Sequence, residues 1–249
     1  MKKVALFLFL SVCFAQQSCS SDSVGTEPEE NPQDILFKDD FNFFDEKVWT
    51  KETHEPGWTN QELQAYDASH VSVGKDGDKS VLILTAERKG NKIYSGRINS
   101  KGKKSFKYRK IEASIKLPKT NGGLWPAFWM MPVGNNYSTN PWPGCGEIDI
   151  MEEVGVDANI VSSSIHCAAY NHTINTQKTA SRNIGTAESE FHVYACEWTP
   201  DYLKFFVDGT ELMTFKNEGS GKNVWPFTYA FYPILNLAWG GDWGGYKGV

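Results

Sequence analysis

At 249 residues with a formal net charge of −5, the chain is long enough for one sizeable domain and too acidic to suit nucleic acid as a general partner. Aromatic residues make up 14%, nine of them tryptophan, which fits either a sugar-stacking cleft or a large β core. Past the N-terminal region only Cys145, Cys167 and Cys196 remain, so at most one disulfide is expected. Their spacing matches no zinc pattern, even with His166 beside Cys167, and no metal site is expected.

Lys2 and Lys3 precede the apolar run Val4–Phe14, which is too short to span a bilayer. Residues 1–18 therefore read as a secretory signal outside the fold, and their loss takes the net charge from −5 to −7. The following QQSCSSDS resembles the lipoprotein-processing site of Bacteroidetes-type bacteria, although Gln16 and Gln17 depart from the usual pattern. That resemblance implies an acyl anchor at Cys19 and an outer-membrane lipoprotein at the cell surface or facing the periplasm. Residues 19–34 are polar and acidic with no aromatic side chain, so they read as a disordered tether.

Residues 35–249 read as one domain of short strands broken by turns. Val81–Ala86, Ile111–Leu117, Ile160–His166, Phe191–Trp198 and Tyr202–Val207 are β-rich. Ile111, Ala113, Ile115 and Leu117 alternate with Glu112, Ser114 and Lys116, the pattern of a half-buried strand. Asp208-Gly209 has the chemistry of a two-residue hairpin turn. The basic run Lys101–Lys110 reads as a solvated turn and strand face. No segment has helical periodicity, and many short strands with turn signals imply an all-β sandwich or barrel.

Gly144–Gly155, GCGEIDIMEEVG, concentrates acids between buried-type residues. Ile148 and Ile150 alternate with Glu147 and Asp149, which puts the two acids on one strand face. Strict alternation would place Glu153 beside them. A β-bulge near Ile150–Met151 would bring Glu152 round instead and turn Glu153 away, and bulges are frequent next to active sites. Glu147 and Glu152 would then stand roughly 13 Å apart at their backbones. Their side chains can lean together toward the ~5–5.5 Å carboxyl separation of retaining glycosidases.

GEIDIME after WPAFWMMP resembles glycoside hydrolase family 16, in the branch with a Glu-x-Asp-x-x-Glu signature. The blocks NQELQAYD, SGRINSKG, GLWPAFWMMP, GEIDIME, FHVYACEWTPDYLKFFVDG and YPILNLAWGGDW follow in the family's order. The resemblance implies a β-jelly roll of two antiparallel sheets with a concave substrate cleft. It implies Glu147 as nucleophile, Glu152 as general acid/base and Asp149 between them, with His166 in support. In that scheme Glu147 is ionised while crowded charge keeps Glu152 protonated. Asn60, Arg97, Trp125, Trp129, Trp239 and Trp243 match substrate-contacting positions.

The activity implied is retaining endo-hydrolysis of β-1,3- or mixed-linkage β-1,3-1,4-glucan by a monomer that needs no cofactor. Agarase- or carrageenase-type galactan cleavage is the alternative, and a non-catalytic glucan-binding protein a weaker one. The unbulged spacing of xyloglucan-type transglycosylases is absent. Family members usually continue for one more strand beyond GGDWGGYKGV, so an open sheet edge is expected, which leaves the family's structural calcium site in doubt.

Overall fold

The computed structural model of the protein describes residues 4–13, 35–119, 122–135 and 138–248. In chain order the strands are β1 (Val4–Cys13), β2 (Ile35–Asp39), β3 (Thr50–Lys51), β4 (Gln64–Tyr66), β5 (Val71–Asp76) and β6 (Lys79–Lys89). There follow β7 (Lys92–Ser95), β8 (Arg97–Asn99), β9 (Lys110–Lys116), β10 (Leu124–Pro132), β11 (Glu147–Glu153) and β12 (Ile160–His166). The last are β13 (Lys178–Asn183), β14 (His192–Trp198), β15 (Tyr202–Val207), β16 (Thr210–Lys216) and β17 (Phe231–Trp239), then one helical turn, α1 (Gly241–Gly244).

These strands form two sheets. The larger has ten strands, with the order β16-β15-β14-β9-β1-β6-β7-β4 and with β2 and β5 attached at β1 and β6. The smaller has seven, in the order β13-β12-β11-β10-β17-β8-β3. All pairings but the parallel β4–β7 contact are antiparallel. The two sheets stack with one apolar core between them, as the all-β jelly roll expected from the sequence.

The expected strands are present. β9 buries Ile111, Ala113 and Ile115 and leaves the residues between them half-buried. At the β15–β16 hairpin Asp208 and Gly209 have φ of 49° and 72°, the pair of positive values a tight hairpin needs. Ile98, Phe128, Leu235 and Leu237 of the smaller sheet meet Leu82, Leu84, Ile115 and Phe205 of the larger in one core cluster. Each fully buried side chain of this size contributes about 1.5–3 kcal/mol. The basic run 101–110 forms a turn and the start of β9, where Lys103 Nζ donates to the carbonyl oxygens of Glu46 and Trp49, both at 2.6 Å.

Val4–Cys13, read as an export signal outside the fold, lies as β1 between β6 and β9, antiparallel to both. Its backbone pairs with both neighbours and so satisfies their facing edges. Cys19 and the acidic stretch 19–34 lie outside the described residues.

Candidate active site

The site face is set by β11 and its neighbours. Glu147 lies opposite His166 and Asp149 opposite Ser164 on β12, but the next paired residue is Glu152, opposite Ser162. The same irregularity recurs against β10, where Trp129 pairs with Asp149 and Phe128 with Met151. Two consecutive residues, Ile150 and Met151, are both drawn into the core. This is the bulge expected from the sequence, and its effect is to return Glu152 to the face of Glu147 and Asp149. Glu153 points inward instead. It is fully buried and accepts the backbone N–H of Asn159 at 2.6 Å, so it contacts a loop but is not solvated.

Burial and crowding control the three acids. Burial, then the charge of Asp149, pushes Glu147 up to about 8. Burial, then Glu147, pushes Glu152 up to about 7, while burial and Glu152 hold Asp149 well above the usual carboxylate range. Such a group retains at least one proton at neutral pH. Glu147 and Asp149 hydrogen-bond to each other, a contact that raises Glu147 further and lowers Asp149 in part.

The surrounding side chains hold these groups in place. Trp125 Nε1 donates to Glu152 Oε1 at 3.0 Å. His166 Nε2 stands 3.3 Å from Asp149 Oδ2, an ion-pair distance. Glu147, Asp149 and His166 place one ligand-type atom each within 4.8 Å of one another, close enough to hold a cation. A cation there would occupy the oxygens that acid/base chemistry requires, so we read the trio as proton-handling groups.

β10 and β17 extend the floor. Trp125, Ala127 and Trp129 pair with Ala238, Asn236 and Ile234, and so share the face of the acids. Trp129 Nε1 donates to Asn236 Oδ1 at 2.7 Å, and Arg97 Nη1 donates to the same oxygen at 3.4 Å. Arg97 Nε also donates to Glu52 Oε2 at 2.6 Å. The guanidinium lies 5.1–5.2 Å from the ring centres of Trp129 and Trp58, a cation–π arrangement. Trp58 stacks on His54 at 3.6 Å.

Trp243 on α1 meets Trp125 edge-on at 5.3 Å, at the rim. The backbone oxygen of Asn60 accepts the N–H of Asp242 at 2.8 Å and places Asn60 beside that rim. The turn needs glycine: at Gly241, φ is 75° and a Cβ would lie 2.6 Å from the Asn60 oxygen.

Trp239 is the expected substrate contact that the structure does not bring to the site. On β17 the residues facing the cleft are Tyr232, Ile234 and Asn236, so Trp239 has the opposite parity. It packs against the core cluster, with the Arg88 guanidinium 5.5 Å from its ring centre. A Gly-Gly turn follows Trp239 rather than lifting it. Sequence reading also missed Glu52, Trp58, Asn236, Trp142 and His172. Asn236 was accessible from the alternation in YPILNLAW; the others sit on loops whose course no periodicity reveals.

Against known proteins, residues 59–248 match the model of Glycosyl hydrolases family 16. A beta-glucanase of Rhodothermus marinus is 37% identical, with 96% of this chain and 86% of that protein aligned. A family 16 protein of a Bacteroides ovatus mixed linkage glucan locus, solved with a product bound, is 58% identical. It superposes with a TM-score of 0.75 over 86% of this chain and 90% of that one. The laminarinase of Rhodothermus marinus superposes with a TM-score of 0.78 at 36% identity, over 86% of this chain and 89% of its own. With its bulged acid strand and this extent of likeness, the chain belongs to glycosyl hydrolases family 16.

Proposed function

We propose that the chain is a retaining endo-glycosidase that cleaves mixed-linkage β-1,3-1,4-glucan or β-1,3-glucan by double displacement. The observation that carries this reading is the bulge that sets Glu147, Asp149 and Glu152 on one face beside Trp125 and Trp129. Support for the substrate comes from the 58% identity to the mixed linkage glucan protein, beside the two Rhodothermus relatives.

In the first step Asp149 takes the proton it shares with Glu147, and the freed Glu147 carboxylate attacks the anomeric carbon. Glu152, protonated through burial and the nearby charge of Glu147, gives its proton to the leaving oxygen. In the second step the same carboxylate takes a proton from water, which displaces Glu147 and retains the configuration. Trp125 and Trp129 offer flat faces to the sugar rings, and His166 holds Asp149. No step needs a cofactor or a metal.

The test is incubation with barley-type mixed-linkage glucan, laminarin, xyloglucan, agarose and carrageenan, with Glu147→Gln as the blank. Short oligosaccharides from the first two, lost in the variant, are the expected result. Cleavage of galactans alone overturns the substrate, and products without retained configuration overturn the mechanism.

We also propose an exported, acyl-anchored monomer, on the strength of Lys2, Lys3, the apolar run after them and Cys19. Signal cleavage would remove β1 and reopen the place between β6 and β9. Incorporation of labelled palmitate that disappears in Cys19→Ser is expected; equal labelling of that variant sinks the proposal.

A further inference from the structure

The two arms of the cleft differ in chemistry. Toward β10, β17 and β8 the floor carries Trp125, Trp129, Asn236 and Arg97. Toward β12 and β13 it is hydroxylic, with Ser162 meeting Ser181 at 2.8 Å and Ser164 meeting Thr179 at 2.9 Å. Neither of those two strands contributes a tryptophan, tyrosine or phenylalanine. The wall on that side comes from loops: Trp142, just before β11, and His172, between β12 and β13.

His172 is exposed, yet its position is built. Asn171 accepts from the Thr173 N–H and hydroxyl at 3.2 and 2.6 Å, and donates to the Cys167 carbonyl oxygen at 3.1 Å. The His172 ring lies 4.9 Å from Trp142 and 5.2 Å, edge-on, from His166. His166 in turn faces Glu147 across the strand pair. Burial and the neighbouring His166 pull His172 below its ordinary pKa, so it is neutral at neutral pH, with one donor nitrogen and one acceptor. Among the described residues neither ring nitrogen has a hydrogen-bond partner.

We propose that His172, braced by Trp142, is a specificity-determining residue that hydrogen-bonds a hydroxyl of the sugar on the leaving-group side of the scissile bond. The inference rests on the glucanase reading. The side follows from the two-step reaction. The glycone must stay bound through the covalent intermediate, which suits the aromatic and cationic arm. The leaving sugar must depart before water enters behind it, which suits an arm with a hydroxylic floor.

The experiment compares the full chain with His172→Ala, His172→Phe and His172→Gln on two substrates. One is a mixed-linkage oligosaccharide long enough to cross the cleft. The other is a nitrophenyl glycoside of a short glucan oligosaccharide, which places no sugar on the leaving-group side. On the oligosaccharide, Ala and Phe should raise KM roughly three- to tenfold, the worth of one hydrogen bond, with kcat nearly unchanged. Gln should recover most of the loss, and all three should match wild type on the nitrophenyl substrate.

Unchanged KM in both Ala and Phe overturns the inference. So does an equal loss on the two substrates, which would mark general damage to the site. A Phe variant that behaves like wild type assigns the effect to ring packing and overturns the hydrogen bond. Wild-type protein inactive on every glucan overturns the glucanase reading itself.

Discussion

Trp125 donates its indole N–H to Glu152 Oε1 at 3.0 Å, so the residue proposed to stack on a sugar also holds the carboxylate proposed as acid/base. The hydrogen bond favours the ionised carboxylate and offsets part of the burial that pushes Glu152 up to about 7. Trp125→Phe keeps a ring and loses the donor, so Glu152 should hold its proton to higher pH. The expected result is a kcat/KM profile whose alkaline limb moves upward, with little change in KM. Trp125→Ala should raise KM as well. An alkaline limb that does not move in the Phe variant refutes this coupling.

The bulge makes neighbouring glutamates unequal. Glu147→Gln and Glu152→Gln should each lower kcat on mixed-linkage glucan by at least about a hundredfold, the lower end for a lost acid or base. Glu153→Gln should stay near the wild-type rate, because its side chain faces the core and accepts from Asn159. Initial rates on purified variants decide the matter. Loss of turnover in Glu153→Gln with a working Glu152→Gln would reverse the assignment.

Glu153 also sets a pH dependence of stability. Burial, opposed in part by the Asn159 N–H, pushes its carboxyl from 4.5 to about 8. For an acid with a raised folded value, the native state binds more protons than the unfolded chain between these limits, so stability falls as pH rises through that window. Gln imitates the protonated form. Glu153→Gln should therefore melt at least about 2 °C above wild type at pH 8, with a flatter dependence of Tm on pH. Thermal denaturation at several pH values tests it, and parallel curves for the two proteins would rule it out.

The sequence disclosed most where side-chain periodicity and local chemistry were enough. The alternation in β9, the Asp208-Gly209 hairpin and the one-face acids of β11 could all be read from adjacent residues. Even the bulge was legible, since only an extra residue reconciles two buried side chains, Ile150 and Met151, with Glu152 on the acid face. Trp239 was misplaced because its motif said nothing of strand parity, which Asn236 fixes through its contact with Trp129. His172 and Trp142 were out of reach, since their meeting depends on two loops from different parts of the chain. Val4–Cys13 shows a further limit: an apolar run suits an export signal and a sheet strand alike, so composition and periodicity alone do not separate the two.

The last prediction concerns Arg97, which serves both fold and site. Its side chain is 6% exposed and bonded to Glu52, itself 14% exposed, at 2.6 Å. Burial alone would raise Glu52, but Arg97 and the hydrogen bonds around it hold the carboxyl below its usual 4.5. Arg97→Ala would strand that carboxylate and should cost about 3–5 kcal/mol. It should also release Asn236 and with it the Trp129 indole. Arg97→Lys keeps a charge but cannot span Glu52 and Asn236 with one planar group, so it should fall between. Because the folded value of Glu52 is lowered, this contribution is present above its unfolded 4.5 and fades as pH falls through the lower folded value. Denaturant melts at pH 7 and at pH 3 should thus show a wide gap between wild type and Arg97→Ala at the higher pH and a narrower one at the lower. An equal gap at both would mean that Arg97 acts through packing on Trp58 and Trp129 rather than through its pairing with Glu52.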